Sequence, residues 1–226
     1  MRLPGSHRRT ALLAGAALAG VLALPGVADA VVSTITSPFD ATATASCPGS
    51  ARVPCTVISR TTAYQDVVGT EHTPMRITTA GRIVGWEITL SAPSTAQTRY
   101  FDETEGGTAR AALAVLRNVG GLDYRLVAQT PLVHLEPYFG RSASFALTTT
   151  IPVARGDLLA LTVPTWAPAL ELHAGAGTAW RASRRATACT AVAHQTAQLS
   201  AGSVAQYGCL YQTALVSFAA IEISTP

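Results

Sequence analysis

Asp102, Glu103 and Glu105 lie close together in RYFDETEGG and run directly into Gly106-Gly107. Carboxylates this close, followed by glycines that let backbone carbonyls turn inward, could bind Ca2+, which takes about six to eight oxygen ligands. The competing and preferred reading is a solvated acidic loop joining two strands. Carboxylates also work in pairs in glycoside hydrolysis, where two of them flank the scissile bond at about 5 to 10 Å. Glu87, Asp102 and Glu136 are the candidates for that chemistry. Glu87 alternates with apolar neighbours and is placed on the outer face of a strand, where it could line a groove.

Aromatic side chains form a second constellation. Trp166 and Trp180 stand in or beside segments that read as loops, and Tyr100-Phe101 and Tyr138-Phe139 are adjacent pairs at expected strand ends. Rings gathered at one edge of a sheet, beside carboxylates and amides, suit a sugar, whose apolar face stacks while its hydroxyls take hydrogen bonds. Trp166, Trp180, Tyr100 and Tyr138 are therefore the candidate glycan-binding residues. For any one of them the alternative is a plug at the end of the core.

Other chemistries are excluded or unsupported. All sixteen basic residues are arginine, so Schiff-base, P-loop and Ser-Lys mechanisms have no lysine to use. His72, His134, His173 and His194 are dispersed, with none in a zinc-protease helix motif. GRSAS at Gly140 lacks the last glycine of a nucleophile elbow. GAGTAW at Gly175 starts a dinucleotide-binding spacing and then fails it. From Val31 onward thirteen arginines face twelve carboxylate residues, a near balance that implies neither nucleic acid nor an anionic membrane. The one dense basic spot is Arg181, Arg184 and Arg185, read as a solvated loop.

The compartment follows from the first thirty residues and from the cysteines. Arg2, His7, Arg8 and Arg9 precede an apolar run from Ala11 to Leu24, and Ala28-Asp29-Ala30 supplies a small-x-small cleavage pattern. Residues 1–30 are expected to be a cleaved signal peptide, by the general or the twin-arginine route. The run is too short to span a bilayer, so no stable membrane anchor is expected and the product is placed outside the cell. Cys47, Cys55, Cys189 and Cys209 then favour two disulfides. Of three pairings the sequential one is preferred, because Pro48, Gly49 and Pro54 turn the chain between the first pair and the second brackets one composition-biased segment.

Residues 31–226 are expected to form a single all-β domain. In RIVGWEITLS the even positions Val84, Trp86, Ile88 and Leu90 are apolar, a period-two pattern. ARAALAVLRN reads as a strand buried on both faces, with a hairpin at Gly120-Gly121 leading to LDYRLVAQT. ASFALTTTIPV, LLALTV and ALVSFAAIEIS continue the pattern, and VSTITSPF, VPCTVISRT and MRITT are shorter candidates. No convincing helix interrupts them, although TAVAHQTAQLS could make a short one. Eight to ten strands imply a β-sandwich, jelly-roll-like at this length. Residues 174–206, crowded with small residues, are expected to form a long excursion pinned by Cys189 and Cys209. The stretch from Phe145 through TTTIPVARGDLLALTVP resembles a rhythm common in jelly-roll proteins. That resemblance supports the fold and brings no site residue with it.

Arg155-Gly156-Asp157, inside the same stretch, spells a tripeptide that cell-surface receptors read in adhesive proteins. Its position between Val153 and Leu158 makes it a turn, either a hairpin or a bend from one sheet to another, with Gly156 at positive φ and Asp157 bonding nearby amides. The chain is thus expected to be a non-catalytic exported module that binds polysaccharide or cell-envelope glycan, or serves a structural role. A secreted carboxylate-dependent glycan hydrolase is the alternative.

Overall fold

The computed structural model describes residues 30–38, 40–50, 52–191 and 195–224. The basic and apolar leader and His194 lie outside the described residues. Among the described residues sixteen strands form: β1 (Val31–Thr36), β2 (Thr44–Ala45), β3 (Ile58–Val68), β4 (Glu71–His72), β5 (Gly81–Thr89), β6 (Arg110–Gly120), β7 (Asp123–Gln129) and β8 (Val133–His134), then β9 (Ser142–Val153), β10 (Leu158–Ala167), β11 (Leu170–Leu172), β12 (Ala179–Ala182), β13 (Val204–Gln206), β14 (Cys209–Gln212), β15 (Ala214–Val216) and β16 (Phe218–Ser224). A helix, α1 (Thr95–Thr104), stands between β5 and β6.

These strands make an antiparallel β-sandwich. One sheet has the order β1-β16-β5-β9. The larger sheet runs β13-β7-β6-β10-β3-β12-β14, with β4 and β8 at its margins, and a small sheet β15-β11-β2 lies apart from both paths. The inward residues of the two large sheets meet in one continuous core: Trp86, Ile88 and Phe218 come from the first, and Leu113, Val115 and Leu161 from the second. β6 is buried from Ala111 through Leu116, because it has neighbours on both faces. β10 is likewise buried on both faces from Leu158 through Val163, where alternation alone had placed only Leu159, Leu161 and Val163 on one side.

Several expectations are revised by backbone detail. In β5 the register with β16 skips Val84, with Ile221 opposite Gly85 and Glu222 opposite Ile83, and this bulge changes the phase of the strand. Ile83 faces the core and Val84 does not. The last run is two strands: β15 ends at Val216, Ser217 makes the crossing, and β16 begins at Phe218 in another sheet. Ser217 is fixed on both sides, donating its N–H to Ala169 O and accepting from Thr89 N–H. MRITT supplies Met75 and Ile77 to the core but pairs only through an isolated bridge from Arg76 to Leu158.

β3, a central strand, is longer than the apolar pattern suggests because its buried positions include Thr61, Thr62 and Gln65. Each is satisfied by hydrogen bonds: the Thr62 hydroxyl meets that of Thr162, and the Gln65 amide donates to Ala179 O and accepts from Val216 N–H. Polar atoms matched in this way lose little on burial.

Both disulfides form sequentially, Cys47 with Cys55 and Cys189 with Cys209. The segment 174–206 is less of an excursion than expected, since β12 enters the large sheet beside β3 and β13 pairs with β7. Tyr207, fully buried against Tyr64 and Tyr124, donates its hydroxyl to Gln198 Oε1. Gln198 in turn donates to Tyr124 O and Ser203 O. Burial pushes the Tyr207 phenol well above its ordinary range. Residues 195–199 have no regular secondary structure, so the described part of the anticipated short helix is absent.

The Arg-Gly-Asp turn joins β9 of one sheet to β10 of the other, so it is the inter-sheet bend and not a hairpin. Gly156 has φ +94°. Asp157 is 1% exposed, accepts from Ala154 N–H, and takes two bonds from the Arg117 guanidinium at 2.8 and 2.9 Å. Those bonds raise the Arg117 pKa further above its ordinary value. A receptor that reads this tripeptide through its carboxylate would find that carboxylate buried and engaged.

Glu222 is a departure from the matched interior. It projects with Phe218 and Ala220 from the inner face of β16, is 4% exposed, and its Oε1 is buried without a hydrogen-bond partner. Desolvation raises its pKa. The folded state therefore holds this proton more tightly than the unfolded chain does. Its stabilising contribution is complete below the ordinary glutamate range and is lost as pH rises through the raised folded value. Glu222→Gln is expected to match the parent protein at acidic pH and to exceed it by about 1 kcal/mol at neutral pH, near the lower cost of an unmatched buried polar group. Denaturant melts across that pH range measure the difference. A gap that is constant with pH would show that folding does not shift the Glu222 pKa.

Candidate functional site

The acidic stretch is helical where a loop was expected. Ser94 caps α1, its hydroxyl accepting from Gln97 N–H, while the Gln97 side chain accepts from Ser94 N–H. This is a reciprocal capping box, and its Ser-x-x-Gln spacing at 94–97 was readable in the sequence. Gly106 and Gly107, at φ +91° and +114°, follow the helix end.

The helix sends its carboxylates to different partners. Asp102 accepts from Trp166 Nε1 at 3.0 Å, Glu105 binds Arg60 Nε at 3.2 Å, and Glu103 faces solvent. Among the described residues no three His, Cys, Asp or Glu side chains converge on a metal position. Of Asp102, Glu103 and Glu105, the residues expected to hold Ca2+, two tie α1 to the sheet.

The aromatic constellation is also dispersed. Trp166 is 0% exposed and packs on Phe101 and Phe139, because β10 continues past Pro164 and across a register shift to Ala167. Trp180 is buried in β12, which pairs on both sides, and it stacks on Tyr211 with 4.4 Å between centroids. Tyr138 ends a short 3-10 helix, edge-on to Phe145 and beneath the Arg141 guanidinium. Tyr100, 60% exposed on α1, is the one of the four left open to solvent. Trp166 and Trp180 are core residues, and no shared stacking face is built from these four rings.

The basic spot is likewise structural in large part. Arg181 binds Asp66 at 2.9 Å. Arg184 is buried and donates to Ser59 O and the Tyr211 hydroxyl. Arg185 remains exposed.

Of the three carboxylates considered for catalysis, Glu136 approaches His134 Nε2 at 3.3 Å and Asp102 is taken by Trp166. Glu87 stands elsewhere, in a groove of about 430 Å³ at the seam where β1, β5, β11 and the β15–β16 crossing meet. Glu171 lines the same groove. Glu171 carries no signal in the sequence, because it lies in a three-residue strand with no period to display.

Each groove carboxylate is oriented by one hydroxyl. Glu87 Oε2 accepts from Ser144 at 2.8 Å, and Glu171 Oε1 accepts from Ser217 at 3.0 Å. The Ser217 contact depends on the sheet-to-sheet crossing, which places that residue between Glu171 on β11 and Thr89 at the end of β5. Thr89 shares a 2.7 Å hydrogen bond with Ser142. Ser37, at the end of β1, contributes a buried hydroxyl with no partner. The described lining contains no arginine or histidine. The groove is thus acceptor-rich and suited to a neutral molecule with several hydroxyl donors.

Comparison with protein-family models, with curated proteins and with solved structures gives no match.

Proposed function

We propose that this chain is an exported glycan-binding module and that the Glu87–Glu171 groove is its binding site, taking a neutral saccharide of the cell envelope or its surroundings. The observation that carries this reading is that two carboxylates, each oriented by one hydroxyl, line one groove whose described wall has no arginine or histidine. Carboxylate oxygens that still have acceptor capacity bind sugar hydroxyls through charge-assisted hydrogen bonds. Recognition in this groove rests on hydrogen bonding in place of the aromatic stacking expected from Trp166 and Trp180. The two disulfides fit an oxidising, extracellular compartment. Among the described residues no helix is long and apolar enough to cross a membrane.

A second reading is favoured by the same pair. A glycan hydrolase needs two carboxylates about 5 to 10 Å apart across the scissile bond, and Glu87 and Glu171, lining one groove, take the place of Glu87, Asp102 and Glu136 as candidates. Binding and hydrolysis separate cleanly. Retention on insoluble polysaccharides and on cell-wall material is expected for the parent protein, and to fall about tenfold in Glu87→Gln and in Glu171→Gln, the equivalent of one lost good contact. Release of reducing ends by the parent protein, abolished in both variants, would establish the hydrolase instead. Unchanged retention in both variants would remove the groove from consideration.

A further inference from the structure

The outer faces of the two large sheets differ. On the larger sheet the chain after β12 returns as a further layer, with Tyr207 packed on Tyr64 and Tyr124 and Gln198 N–H bonded to the Thr62 hydroxyl. Among the described residues nothing lies over the outer face of β1-β16-β5-β9.

The register shows what that face presents. With Phe218, Ala220 and Glu222 turned inward, Ala219, Ile221 and Ile223 of β16 face out, and each is part-exposed. On one side they lie beside Glu87, Gly85 and Arg82 of β5, and on the other beside Thr36, Thr34 and Val32 of β1. A solvated face of an antiparallel sheet is ordinarily polar, yet the outward positions of β16 are one alanine and two isoleucines. Gly85 keeps the centre flat, since a Cβ there would stand 3.4 Å from Ile221 Cδ1.

Among the outward positions of these four strands only Arg82 and Glu87 are charged, and they stand on either side of Gly85. Arg82 bonds to Thr150 and Glu87 to Ser144, so neither has an ionic partner. A second copy, turned about a two-fold axis that runs across the strands over Gly85, lays β5 antiparallel on β5. Packed sheets cross at about 30° and stand about 10 Å apart, a gap that an arginine and a glutamate span between them. The operation sets Arg82 over Glu87 of the second copy and Glu87 over its Arg82. It also sets Ile223 over Ala219, large against small, and Ile221 over Ile221. A two-fold interface requires a self-complementary patch of this kind.

The area suffices. Four strands about 4.8 Å apart, at the 7-residue length of β16, cover about 450 Å² in projection. Side-chain relief brings this to about 600 Å² per copy, or about 1,200 Å² in all, the lower bound for a specific interface.

We propose that two copies of this chain pack through the outer faces of their β1-β16-β5-β9 sheets, as a two-fold dimer centred on Ile221 and held in register by reciprocal Arg82–Glu87 ion pairs. Glu87 also lines the saccharide groove, so the monomer is the form that presents both groove carboxylates. The dimer is measured without saccharide, and either reading can fail alone.

Sedimentation velocity of the parent protein, over a concentration series spanning the micromolar range, tests it. The expected result is a reversible monomer–dimer equilibrium. Arg82→Glu meets Glu87 of the second copy with a like charge at two places, and is expected to weaken association at least about a hundredfold. Glu87→Arg does the same by bringing two arginines together. Combining the two substitutions exchanges the charges and is expected to restore association to within about tenfold of the parent, a rescue that misfolding of either single variant would not produce. Ile221→Lys, which sets two ammonium groups face to face at the axis, is expected to abolish the dimer while far-ultraviolet circular dichroism stays that of the parent. A monomer at every concentration would overturn the proposal. So would a double variant that stays monomeric, or a dimer that Arg82→Glu leaves intact, as one joined through the free edge of β1 would be. A monomeric parent whose retention on polysaccharide falls in Ile221→Lys would overturn it as well and give the face to the saccharide.

Discussion

Trp166→Ala should lower stability by about 3–5 kcal/mol, the range for deleting a large aromatic side chain from a packed interior. Trp166 is fully buried, sits between Phe101 of α1 and Phe139, and carries the hydrogen bond to Asp102 that orients the helix. Its loss opens a void and leaves the Asp102 carboxylate without that donor. Trp166→Phe separates the two effects: most of the packing remains, and the expected cost falls to about 1–2 kcal/mol for the smaller ring and the lost bond. Equilibrium urea unfolding of both variants measures this. A loss below about 1 kcal/mol for alanine would mean that Trp166 is exposed enough to serve as the glycan-stacking residue its sequence position suggests.

Replacing Cys189 and Cys209 together by serine is the second large effect. The bridge closes a separation of 20 residues and the Cys47–Cys55 bridge one of 8. Loop entropy assigns about 3 kcal/mol to the longer bridge and about 0.7 kcal/mol less to the shorter. The longer bridge also joins β14 to a segment that is otherwise held to β3 and β7 by hydrogen bonds of Ser183, Arg184, Gln198, Leu199 and Gly202. Its removal is therefore expected to expose residues 183–203 to limited proteolysis before the rest of the chain, whereas removal of Cys47–Cys55 is not. Equal stability losses and an unchanged cleavage pattern would show that these hydrogen bonds suffice without the bridge.

The sandwich was legible wherever burial and hydrophobicity coincide. β6 reads as a continuous apolar run because both its faces are covered, and β7, β9 and β16 show the period of two. β3 is harder to read, although it lies at the centre of the large sheet, because Thr61, Thr62 and Gln65 are buried through side-chain hydrogen bonds that an apolar pattern does not report. β5 was located correctly but with the wrong phase at Val84, since a bulge adds a residue without leaving a compositional mark. α1 escaped notice for a related reason: its polar exposed face masks it, and only the Ser94–Gln97 capping pair announces it.

The site was less legible than the fold. Glu87 could be singled out because its strand alternates strongly. Glu171 is brought to it only by the crossing at Ser217, a tertiary event within what reads as one uninterrupted strand. The aromatic candidates failed for the opposite reason. Pro164 beside Trp166 and Gly175 and Gly177 before Trp180 suggest loops, yet pairing partners distant in sequence carry β10 and β12 through these regions. Local turn signals were outweighed by sheet pairing.

The most direct test of glycan recognition in the seam is a backbone amide NMR titration of the parent protein with soluble fragments of whichever polysaccharide retains it. Saturable shifts confined to Thr36, Ser37, Glu87, Thr89, Glu171 and Ser217, and lost in Glu87→Gln, are the expected result. Shifts centred on Tyr100 and the exposed face of α1, with the groove silent, would contradict it and return the binding site to the aromatic surface.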